Sequence, residues 1–138
     1  MAETVRLSFS IDTALCNKMA RLMKSGNFQN RSEFIRDLVR DRLVQEEWDT
    51  DARALGTIML LYNHEQRHLS DKLTHLQHAH HDAILATTHV HVDKHTCAEM
   101  IMVKGKASTI REITDLLRQQ RGVLHASLSI SSLGKHLN

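Results

Sequence analysis

A chain of 138 residues accommodates one compact domain or two small ones. Hydrophobic content of 41%, charged content of 25% and a formal net charge of +2 are ordinary for a globular protein, and no stretch approaches the ~20 apolar residues of a membrane span. Met1-Ala2-Glu3-Thr4 lacks the basic start and apolar run of a signal peptide, so a cytoplasmic location is expected, with Cys16 and Cys97 unpaired in a reducing cytosol. Histidine is the outlier: nine of its 11 occurrences fall between His64 and His95, a clustering that points to metal. Proline is absent, so turns fall to Gly, Asn and Asp.

In residues 5–11, Val5, Leu7, Phe9 and Ile11 alternate with Arg6, Ser8 and Ser10, the period of a strand with one buried face. Its polar face carries groups that suit base edges: an arginine can be bidentate to guanine, and a serine can donate or accept. Asp12 is placed to cap a helix over 13–25, with Leu15, Met19 and Leu22 as its apolar stripe and Cys16 packed beside them. Gly26 ends it. A second helix begins at Ser32, with Phe34, Ile35, Leu38, Val39 and Leu43 apolar. Arg31, Ser32 and the free N–H groups of that helix start are suited to a phosphate. One strand and two helices cannot bury a sufficient core alone. Pairing the strand with its copy from a second chain yields a two-stranded ribbon that fits a major groove; the alternative is a small helical cap with an edge strand. The segments Arg6-Leu7-Ser8-Phe9-Ser10-Ile11-Asp12 and Asn30-Arg31-Ser32-Glu33-Phe34-Ile35-Arg36-Asp37 resemble a ribbon-helix-helix repressor. The resemblance implies base reading by Arg6, Ser8 and Ser10.

Gln45 to Asp51 reads as a helix end and a linker, with Trp48 as a packing residue at the hinge. Residues 57–62 are continuously apolar, the pattern of a strand buried on both faces. Helical spacing follows over 65–78, a strand over 83–92, a turn at 93–96, a strand over 97–104, a helix over 107–121 and a last strand over 123–130. Gly105 reads as punctuation and 131–138 as a tail. The expected fold class is therefore α+β: a ribbon-helix-helix domain over 1–50, then a β-α-β-β-α-β ferredoxin-like domain over 51–138 that resembles the ACT sensor domains.

His89 and His91 lie two apart on one strand and so share a face. Cys97 joins them if His91 opposes it across the hairpin; a four-residue loop would put it on the other face. His78 lies near the end of the preceding helix. Three imidazoles and a thiolate suit Ni(II), Cu(II), Co(II) or Zn(II), tetrahedral closure favouring zinc and a planar set nickel or copper; spacing does not choose. His75, His95, His125 and His136 read as surface histidines.

The elements Gln77-His78, His80-His81-Asp82, Ala86-Thr87-Thr88-His89-Val90-His91, Cys97, Lys104-Gly105 and Gln120-Arg121-Gly122-Val123 resemble the nickel-sensing domain of the NikR repressor family. With the N-terminal module, the likeness covers nearly the whole chain. It implies one Ni(II) per chain in a square-planar site at a subunit interface, with His89, His91 and Cys97 from one chain and His78 from its neighbour. It also implies a homotetramer on a palindromic DNA operator, with controlled genes concerned with nickel. A hard cation in that family draws on acids corresponding to Glu33 and Asp37, residues that also read as helix-surface partners of Arg36 or Arg40. Gln66 stands where some relatives have a DNA-contacting lysine, leaving Arg67 beside it. Alternatives are the same architecture answering to copper, cobalt or zinc, a metal chaperone that ignores DNA, and an antitoxin, against which the folded pattern of 56–130 argues. No nucleophile–base pair, phosphate loop or further open metal site suggests an enzyme.

Overall fold

The structure, a computed structural model, describes residues 3–138. By its contacts the chain divides into two compact units, Met1–Arg40 and Asp41–Asn138.

In the first unit, α1 (Thr13–Ser25) starts where the Asp12 carboxylate accepts the Leu15 N–H at 2.9 Å and stops at Gly26, whose N–H donates to the Leu22 carbonyl. The following helix, α2 (Arg31–Asp49), begins one residue earlier than expected, with Asn30 Oδ1 accepting the Glu33 N–H. Phe28 and Phe34 meet edge to face, their ring centroids 5.1 Å apart. Within the single chain residues 5–11, the segment expected to pair with its copy from a second chain, belong to no helix or sheet, and Val5, Leu7 and Phe9 are 72, 78 and 61% exposed. A strand needs a neighbour to accept its hydrogen bonds, and this unit contains no second strand. Helix α1 buries none of its residues, and Leu38 and Val39 of α2 are also exposed.

By contacts the division lies at Arg40, inside α2. The reason is Trp48, buried in the core of the second unit, its Nε1 donating to the Ser131 carbonyl at 2.8 Å and the Arg111 guanidinium lying over its ring. Helix α2 thus runs on to Asp49, through the stretch expected to be linker.

The second unit continues with β1 (Arg53–Asn63), α3 (Leu69–Ala79), β2 (Ile84–His91), β3 (Thr96–Lys106), α4 (Ala107–Arg118) and β4 (Val123–Ser131). The strands form one antiparallel sheet in the order β2-β3-β1-β4, the β-α-β-β-α-β arrangement expected from the pattern. Ile58, Leu60 and Tyr62 of β1 and Ile101 and Val103 of β3 bury one face with Leu69 and Leu73 of α3 and Ile110, Ile113 and Leu117 of α4. The other face is open, with Met59, Met100 and Met102 each about two-fifths exposed. The apolar run of β1 therefore lies in a sheet covered on one side only, against the two-sided burial expected. Gly105 is likewise inside β3, not a breaker. Helix α4 takes its cap from a distance, the Asp51 carboxylate accepting the Ser108 N–H at 2.7 Å. No described helix is long and apolar enough to cross a membrane.

Gly122 fixes the end of the sheet. Its carbonyl accepts the Asn63 N–H, its φ is +99°, and a Cβ there would come within 2.7 Å of Gln66 and 2.8 Å of Leu69. Gly122→Ala is expected to cost about 1–3 kcal/mol, read from urea unfolding followed by the fluorescence of Trp48, the chain's single tryptophan. Gly105→Ala, with nothing within 4 Å of the new carbon, should change stability by no more than ~0.5 kcal/mol. Equal effects would refute the steric account.

Candidate metal centre

Strand β2 presents its histidines through an irregularity. Ile84 pairs with Val103 and Ala86 with Met102, so Leu85 is an extra residue, a β-bulge. From there the alternation is reset: Thr87 faces Ile101, His89 faces Glu99 and His91 faces Cys97. Cross-strand partners share a face, so His89 and His91 stand on the helix side of the sheet with Cys97 and Glu99. This is the register in which the hairpin unites the three expected ligands.

Cys97 is fully buried, paired across β1 with Tyr62, and its Sγ lies 3.3 Å from His91 Nδ1. Burial, and then the charges of Glu99 and Asp93, push its thiol above the usual range. His89 sits beside His91, ring centroids 5.2 Å apart, with its Nε2 within 3.5 Å of the Tyr62 hydroxyl. His78 lies at the exposed end of α3, outside this group within the single chain.

A residue not singled out in the sequence stands in its place. His64, His91 and Cys97 bring ligand atoms within 4.8 Å of one another. His64 follows β1, and its proximity becomes readable only once β1 is known to pair with β3, Asn63 opposite Thr96. Its loop is anchored to the hairpin turn: the His64 N–H donates to the His95 carbonyl at 3.0 Å, and Glu65 meets His95 Nδ1 at 3.0 Å. The turn is closed by Asp93, whose carboxylate accepts the N–H groups of His95 and Thr96, bonds that lower its pKa.

Behind the cluster lies a buried polar chain. Thr87 Oγ1 donates to Gln77 Oε1 at 2.9 Å, and Gln77 Nε2 donates to Glu99 Oε1 at 2.6 Å. Glu99 was visible in the sequence only as an acid at an inward position of β3, two residues beyond Cys97. The donor set of imidazoles and a thiol, joined by facing positions of a hairpin, fits a borderline-soft divalent metal ion.

The remaining candidates lie in the first unit. Arg6, Ser8 and Ser10 are exposed, as are Arg31 and Ser32 at the start of α2. Glu33 and Asp37, one helical turn apart on α2, line a shallow concavity with Phe28, Arg36 and Arg40, and Glu33 accepts the Gln29 N–H at 3.4 Å.

Residues 55–131 match the family described as NikR C-terminal nickel-binding domain. The chain is 45% identical to a protein of Geobacter sp. (strain M21) and 43% identical to one of Geotalea uraniireducens (strain Rf4), in each case over the whole of both chains. A protein of Caldanaerobacter subterraneus subsp. tengcongensis is 42% identical over 96% of this chain and 87% of its own length. All three carry the name of a nickel-responsive regulator. An uncharacterized protein from Thermotoga maritima shares the fold, with a TM-score of 0.52 at 15% identity over 56% of this chain and 96% of its own.

Tyr62, the chain's single tyrosine, reports on this centre. Burial, with the negative charges of Glu99 and Cys97 beside it, pushes its phenol up to about 12. A raised folded-state pKa stabilises the fold fully below the ordinary value of 10, and that contribution is lost as pH rises toward 12. Alkaline absorbance titration of the native protein should show phenolate appearing near pH 12, and near 10 once urea has unfolded it. A native midpoint near 10 would contradict the placement of Tyr62.

Proposed function

This chain belongs to the NikR family of nickel-responsive regulators, and we propose that it is a nickel-dependent, sequence-specific DNA-binding repressor that controls genes of nickel uptake or use. The observation that carries the reading is the β2–β3 register, which puts His89, His91 and Cys97 on one face of the domain matched to the nickel-binding family.

In this proposal His89, His91 and Cys97 supply three ligands to one Ni(II) per chain, and His78 of the partner subunit supplies the fourth. Three nitrogens and a thiolate suit a square-planar ion. Deprotonation of Cys97, held high by burial, accompanies binding, so affinity rises with pH. His78 sits on the last turn of α3, and the neighbouring Gln77 is tied to Glu99 on β3. An interchain ligand set thereby fastens α3 of one chain to the ligand strands of the next.

DNA recognition is assigned to the first unit. Val5, Leu7 and Phe9 form the apolar face of a strand that pairs with its copy in a second chain, leaving Arg6, Ser8 and Ser10 to read base edges in the major groove. Arg31 and Ser32 at the start of α2 hold phosphate. The half-exposed methionine face of the sheet supports assembly beyond a dimer, and a tetramer with two ribbons calls for a palindromic operator with separated halves. Glu33 and Asp37 offer oxygen donors, which a hard cation favours over softer ligands.

Nickel titration of the full-length protein is expected to give a thiolate-to-nickel charge-transfer band that saturates at one ion per chain. Operator affinity should rise in step by at least ~5-fold, the lower end of ordinary coupling. His89→Ala and His78→Ala should each abolish tight nickel binding, and Arg6→Ala should flatten base preference while keeping metal affinity. A band with no change in DNA binding would favour metal handling over regulation.

A further inference from the structure

The interchain nickel set leaves His64 without a role, yet within one chain His64 is the residue that joins His91 and Cys97. We propose that His64, His91 and Cys97 form a second metal-binding mode: a single-chain site with three protein ligands and an open fourth position, suited to a tetrahedral ion such as Zn(II). The inference rests on the nickel reading in one respect, that His91 and Cys97 are ligands there too. The two modes therefore exclude one another.

The geometry favours a compact ion. Bonds of ~2.3 Å to sulfur and ~2.0 Å to nitrogen at tetrahedral angles set adjacent ligand atoms about 3.5 Å apart, and Cys97 Sγ lies 3.3 Å from His91 Nδ1. All three ligand atoms fall within 4.8 Å of one another. The ring is exposed, whereas its backbone is fixed by the bond to the His95 carbonyl and by the Glu65–His95 pair on the same loop. His64 and His91 already meet edge to face, centroids 5.6 Å apart. His89 is not needed, its Nε2 being turned toward the Tyr62 hydroxyl. Two imidazoles and a thiolate with one position left to water are a ligand set that zinc accepts.

The mode has a consequence for selectivity. An ion held by His64, His91 and Cys97 stays on one chain and draws nothing from a partner, so it cannot link α3 of one subunit to the strands of another. A planar ion, which needs four ligands in one plane, must take His89 and His78 of the partner subunit. His64 thus diverts tetrahedral ions away from the state that binds DNA.

The test uses the full-length protein and three variants, His64→Ala, His64→Gln and His78→Ala, with zinc, nickel and cobalt ions as probes. Affinities come from competition with a chromophoric chelator, and cobalt geometry from its visible d–d absorption. The expected result is that both His64 variants lose at least the ~10-fold in zinc affinity that removal of a mere orienting partner costs. They also lose the intense tetrahedral cobalt bands and keep nickel affinity within about 3-fold, under half of the tenfold step worth ~1.4 kcal/mol on a logarithmic scale. His78→Ala should do the reverse. Unchanged zinc affinity and cobalt spectra in the His64 variants would overturn the inference, as would equal losses of zinc and nickel. If the His64 variants behave as expected but His78→Ala leaves nickel affinity intact, the interchain nickel reading fails and the single-chain site stands.

Discussion

The register of the β2–β3 hairpin is the constraint on which the rest depends. Side chains alternate along a strand, so one residue more or less moves every following side chain to the other face. Ile84 packs against the core, paired with Val103, while His91 must oppose Cys97 at the other end of the strand. Regular alternation from Ile84 would send Thr87, His89 and His91 to the open methionine face. The extra residue at Leu85 resolves the conflict. It lets the strand begin in the core and finish with its histidines on the helix side, beside the only buried cysteine among the described residues. The cost is a half-exposed leucine and a local break in the ladder, which strand edges tolerate.

Once that register is set, the polar chain behind the histidines follows. Thr87 comes to face α3 and donates to Gln77, and Gln77 donates to the Glu99 carboxylate that stands opposite His89. A carboxylate in so dry a place needs its partners, because an unpaired buried charge is expensive. The same two bonds lock the last turn of α3 to β2 and β3. Helix position and site geometry are therefore not independent: a shift of α3 breaks hydrogen bonds at Glu99, and a change in charge at Cys97 is felt by Tyr62 and Glu99. His78 rides on that turn, so any ligand that fixes His78 also fixes the helix.

Much of this was legible in residue order, for identifiable reasons. Helix α1 was bounded by a capping aspartate and a terminal glycine, signals that are local and that the chain obeys. The succession of strands and helices in the second unit was carried by period, and the pairing of His91 with Cys97 was one of two registers that the hairpin allowed. The misreadings share a cause: each depended on what lies across space. The segment 5–11 stands apart from these: it has the alternation of a strand, and the neighbour expected for it belongs to a second chain. The apolar run in β1 could not say that its second face was open. Trp48 was placed in a linker because its acidic neighbours are linker-like, yet its destination is the floor beside Ser131 and Arg111. His64 stands far from Cys97 in sequence and next to it in the sheet, through strand pairing that no local pattern reveals.

How a site made of common ligands can favour one ion is a question of geometry before affinity. Imidazole and thiolate bind copper and zinc at least as readily as nickel, so raw strength offers little discrimination among them. A protein can discriminate if different coordination shapes recruit different residues. In the two arrangements proposed, His91 and Cys97 are common, and the choice would fall on the remaining partner: His64 on the same chain, or His89 with a histidine from another subunit. The first costs no assembly and links nothing. The second would use the metal as a fastener between chains, at the helix end that Gln77 ties to Glu99. In the proposed scheme, coupling DNA binding to an ion requires only that the ion bind the linked state better than the unlinked one. An ion content with His64 lacks that preference, however tightly it binds.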